Sequence, residues 1–165
     1  MENEAAGTFD VELTPIGASD GPVGSMSIAK TFHGDLQSSS VGQMLAFRSG
    51  VEGSAGYVAM ERVTATLEGR QGSFTLQHSG LMDKGAQSLT VVVVPDSGTE
   101  GLSGLTGTMN IVVSAGKHDY QFRYTLPVRE TAAAIEASLA IVFIFRAVPC
   151  FSLGMRSRVV AMPSG

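Results

Sequence analysis

From Thr8 to Leu126 apolar and polar residues alternate with a period close to two, and short Gly-bearing segments break the alternation at regular intervals. This pattern restricts the fold more than any other feature. Period two places alternate side chains on opposite faces of a strand, whereas a helix needs a period of 3.6. Phe9, Val11 and Leu13 alternate with Asp10, Glu12 and Thr14; Met26, Ile28 and Phe32 share a face with Lys30. Further strands are predicted near 39–48, 56–67, 72–80, 88–95, 108–115 and 119–126. Turn chemistry separates them at Gly17–Gly24, Gly50–Gly53, Glu68–Gln71, Asp83–Ala86, Asp96–Gly107 and Gly116–Lys117. Eight such strands make an all-β chain, read as an eight-stranded antiparallel barrel whose interior is filled by side chains or holds one small ligand.

Two hairpins test the reading internally. A turn centred between Gly69 and Arg70 sets Ala65 against Phe74, Val63 against Leu76 and Glu61 against His78. The intervening pairs, Thr66–Ser73, Thr64–Thr75 and Arg62–Gln77, are polar. About Gly116-Lys117, Met109, Ile111 and Val113 face Tyr124, Phe122 and Tyr120. Both hairpins therefore have one apolar face, which a one-residue slip would destroy. The run Leu89–Pro95 is apolar apart from Thr90 and suits a strand covered on its outer face, by the tail or by a second copy.

The 165 residues suit one domain with little beyond it. Composition changes near Pro127: eighteen of the 20 Gly precede Val128, and the charge is 7 − 13 = −6 before it and 4 − 2 = +2 after it. The expected division is a barrel over 7–126 and an extension over 127–165. Nine residues cannot span a bilayer as a helix, which takes about 20, so the apolar stretch Ala137–Phe145 reads as a helix or strand laid over the body or a poorly ordered extension, with a membrane-surface helix as the alternative. Pro149 would stop a helix begun near Thr131. The net charge of −4 argues against nucleic acid as a partner. The N-terminus lacks a basic and apolar leader, so a cytoplasmic location is the expectation.

Alternation turns Glu61 and His78 to the inner face, with Val63, Phe74 and Leu76 around them and Lys30 on the inner face of its own strand. A carboxylate beside an imidazole is a candidate acid–base pair; the alternative is a buried pair that satisfies only itself. Tyr57, Tyr120 and Tyr124, with Phe74, Leu76 and Phe122, are the candidate ligand-lining residues; the alternative is that they fill the core. Three scattered His and one Cys show no metal-ligand spacing. The Gly-rich segment Pro95–Gly107 lacks the Gly-Lys-Ser/Thr of a phosphate loop and reads as a long connection capping one barrel end. No cofactor is expected.

Several blocks in order carry a family resemblance: Lys30-Thr-Phe-His-Gly-Asp-Leu36, Gly56-Tyr-Val-Ala-Met-Glu-Arg-Val63, Leu67-Glu-Gly-Arg-Gln-Gly-Ser-Phe-Thr-Leu-Gln-His-Ser-Gly80, Val94-Pro-Asp-Ser-Gly-Thr99 and Gly116-Lys-His-Asp-Tyr120. Residues 7–126 resemble the bacterial family named domain of unknown function 3224. Ala65, Leu81 and Glu100-Gly101 depart from its pattern, and everything after Pro127 falls outside it. The resemblance implies a barrel similar to that of allene oxide cyclase, lipocalin-like in outline, with cyclase- or isomerase-like activity only as an analogy of fold. Two functional readings follow. One is a barrel binding a small apolar molecule with Glu61, His78 and Lys30 as polar handles. The other is a non-catalytic module with a filled interior. Either is compatible with a homo-oligomer formed through Val91–Val94 or the tail.

Overall fold

The computed structural model describes residues 1–17 and 21–128; the extension from residue 129 onward, with its apolar stretch and Cys150, lies outside the described residues. Eight strands run in sequence: β1 (Glu2–Pro15), β2 (Gly24–Gly34), β3 (Gln37–Arg48), β4 (Ala55–Leu67), β5 (Arg70–Asp83), β6 (Ala86–Val93), β7 (Thr106–Ser114) and β8 (Lys117–Thr125). Each pairs antiparallel with the next, and β8 returns to β1, closing the barrel in the order of the sequence. Closure removes the free edges an open sheet would expose to aggregation. β1 begins at Glu2, six residues before the predicted start at Thr8, because Glu2–Phe9 pair with β8 while Gly7–Pro15 pair with β2.

The alternation holds, but the two hairpin registers differ from the sequence expectation. Val63 faces Phe74, Glu61 faces Leu76, and it is Ala59 that faces His78. In the last hairpin Met109 faces Phe122 and Ile111 faces Tyr120. Both shifts have one cause. The turns are Glu68-Gly69 and Ala115-Gly116, with Gly second, and all four residues have positive φ. Lys84-Gly85 repeats the device between β5 and β6. Two-residue loops with positive φ at both positions are type I′ turns, whose twist matches that of the flanking strands. The expectation put Gly69 first in its turn, and centred the other turn on Gly116-Lys117. Each centre therefore came one residue late, moving every pair by two and leaving each face unchanged.

The two ends of the barrel differ. At the end holding the β2–β3 and β4–β5 turns, the interior is packed solid. Phe9, Phe32, Leu36, Phe74, Leu76, Tyr120, Phe122 and Tyr124 are buried there with Val63 and Leu67. Phe74 and Phe122 stack with centroids 5.6 Å apart, and Tyr124 lies 5.2 Å from Phe122. The β6–β7 connection caps this end, as the sequence suggests. Its single 3-10 turn, Glu100–Leu102, buries Leu102, and Leu105 follows it into the core. Backbone bonds from Thr99 to Ser73 and from Val94 to Thr75 hold the connection to β5. On β6, Val91 and Val93 point inward. At the opposite end, the ladders finish in half-buried residues such as Met44, Ala46, Tyr57 and Met82.

Candidate functional site

Between the packed end and the open end lies one layer of polar side chains. Glu61 on β4 is wholly buried. Lys30 of β2 donates to its Oε2 at 2.6 Å, and Ser40 of β3 donates to its Oε1 at 2.5 Å. His78 Nε2, from β5, lies 2.9 Å from the same Oε2. That approach falls short of a well-aligned hydrogen bond and is a close polar contact. Strand alternation produces this convergence: the four residues occupy inward positions on four consecutive strands. The predicted direct facing of Glu61 and His78 is corrected to a diagonal, which two long side chains still bridge. Lys30 Nζ also sits 4.7 Å from the Phe9 ring centroid and 5.7 Å from that of Phe32, so the ring faces share in holding the cation.

Burial alone would push the Glu61 carboxyl up. The His78 contact, the Lys30 ammonium and the Ser40 hydroxyl outweigh it and hold the group down at about 2. Glu61 is therefore an ionised anchor at neutral pH. A group held so far below 7 is a weak proton acceptor, and it carries no proton to donate.

Toward the open end is a cavity of about 340 Å³ whose wall includes Met44, Ala46, Tyr57, Gly80, Met82 and Val113. On β5 it begins one inward position beyond His78, at Gly80. The Tyr57 ring lies directly on Gly80, where a side chain's Cβ would come within 2.2 Å of the ring. Burial, followed by the Glu61 charge, raises the Tyr57 phenol above its ordinary value and keeps it protonated. Its hydroxyl has no hydrogen-bond partner among the described residues. A broader groove of about 600 Å³ crosses the outer face near Gln37, Thr64 and Gln71. It is polar, it lies on the side of the sheet away from the interior, and its Arg62 is already bonded to Ser73 at 2.7 Å.

The family model described as "Protein of unknown function (DUF3224)" matches residues 5–124. The chain belongs to DUF3224. A crystal structure of a DUF3224 protein of unknown function from Shewanella oneidensis MR-1 is 46% identical, with a TM-score of 0.72; the match covers 78% of this chain and 100% of that one. No curated protein matches.

Within this DUF3224 barrel the candidate residues fall into two groups. Glu61, His78 and Lys30 come together as one cluster, and Tyr57 borders the cavity. Phe74, Leu76, Tyr120, Phe122 and Tyr124 belong to the packed end and do not line the mouth cavity. The Tyr120 hydroxyl donates to the His33 carbonyl and accepts from the Leu36 N–H; that of Tyr124 donates to Glu68. Ser40 was missed. It is inward by the alternation of β3, but as the last of the three serines at 38–40 it gives no signal of its own. Among the described residues, no group of three His, Cys, Asp or Glu is placed to hold a metal ion, and no helix is long and apolar enough to cross a membrane.

Proposed function

We propose that this barrel binds a small apolar molecule in its open end, and that the Glu61 cluster is the fixed polar layer beneath that site rather than an acid–base pair. The supporting observation is the joining of an apolar cavity of about 340 Å³ to an unpartnered Tyr57 hydroxyl at its wall. Ligand pockets run upward from about 300 Å³ and are mostly apolar with a few placed polar groups. The ligand body would rest on Met44, Ala46 and Met82, with Tyr57 donating to an acceptor on it. This is binding by shape and one hydrogen bond. The depressed Glu61 gives no support to a cyclase- or isomerase-like proton transfer through that carboxyl.

The test is titration with 1-aminoanthracene, a neutral dye that fluoresces when buried. The wild-type chain, which has no tryptophan to interfere, should enhance its emission saturably. Ala46→Phe, which places a ring in the cavity, should abolish the enhancement while leaving the melting temperature near that of wild type. Equal enhancement by both proteins would exclude the mouth as the binding site.

A further inference from the structure

The inner ladders of β3 and β6 do not end apolar. By alternation Arg48 follows Met44 and Ala46 on the inner ladder of β3, and Gln87 precedes Leu89 on that of β6; both are exposed at the rim. Both border the mouth cavity, joined there by Ser88. Arg48 has no carboxylate, hydrogen-bond or ring partner among the described residues. The cavity wall contains no other charged side chain. The chain carries −6 over residues 1–127, so anions are repelled at long range and an unpaired arginine at this apolar mouth stands out against that field.

Resting on the binding reading above, we infer that the ligand is an amphipath with a single negative charge, its apolar body in the cavity and its carboxylate at the rim on Arg48. Carrying a charge into the apolar interior would be costly, so the head group stays at the opening. A guanidinium meets a carboxylate through two parallel N–H bonds, and Gln87 can add a further donor. One cation at the rim balances one negative charge, which favours a monoanion over a phosphate monoester.

Decanoate, decan-1-ol and decylamine share one chain length and differ in head group, so displacement of bound 1-aminoanthracene by each separates head from body. On the wild-type chain decanoate should displace the dye at lower concentration than decan-1-ol, and decylamine should be weakest. Arg48→Gln should weaken decanoate about fivefold, the upper size of one exposed ion pair, and move decan-1-ol by less than about twofold. Tyr57→Phe should weaken both alike. If the dye and decan-1-ol bind while decanoate gains nothing over the alcohol, or Arg48→Gln leaves it unchanged, the head-group assignment falls and the binding reading stands. If neither the dye nor any of the three binds, both fall.

Discussion

At the scale of single residues the structure turns on one carboxylate. Glu61 is wholly buried, its charge offset by the Lys30 ammonium and its oxygens met by Ser40 and His78, within a layer that separates a solid core from a cavity. Removing the charge leaves Lys30 buried without its partner, so Glu61→Gln should lower stability by about 3 kcal/mol in urea denaturation. The double variant Lys30→Met/Glu61→Gln should recover part of that loss, and strictly additive losses would show that the two charges do not depend on each other. The cluster also sets a pH dependence. Folding lowers the Glu61 pKa from 4.5 to about 2. Its stabilisation is therefore complete above about 4.5 and is lost as pH falls toward about 2, amounting to roughly 3 kcal/mol at most. The stability difference between wild type and Glu61→Gln should narrow between pH 6 and pH 3. A difference constant over that range would mean that Glu61 is not held ionised by its neighbours.

At the scale of elements, the faces of the strands were legible and their pairing was not. Alternation alone placed Glu61, His78 and Lys30 inward, because period two is a property of each strand taken by itself. Register depends on which residues form the turn, and Glu-Gly, Lys-Gly and Ala-Gly turn signals are weaker than Asn-Gly or Asp-Gly. Arg48 went unremarked for a related reason. A charged residue at a strand end reads as solvated until the closed ladder shows that it finishes an inner face. Ala115 carries a further consequence. It holds φ 49° with no side chain able to bond locally, a conformation that costs an ordinary residue about 1–2 kcal/mol. Ala115→Asn should raise stability by about 1 kcal/mol in urea denaturation; a loss of stability would contradict the type I′ assignment.

At the scale of the whole barrel, the sequence left a choice between a filled interior and one holding a ligand, and the structure divides the two by position. The long β6–β7 connection seals one end with Leu102 and Leu105, while the cavity at the other is bordered by Met44, Tyr57 and Met82. Alternation could not resolve this, because it identifies inward residues without saying which lie under a cap. The methionines offer a direct reading of that division, since they sample every environment: Met44 and Met82 in the mouth wall, Met109 in the packed end and Met60 exposed on the outer face. With the methionine methyl groups labelled with carbon-13, addition of 1-aminoanthracene should shift the Met44 and Met82 resonances and leave those of Met109 and Met60 in place. Shifts confined to Met60, or no shift at Met44 and Met82 while the dye is bound, would contradict a binding site in the open end.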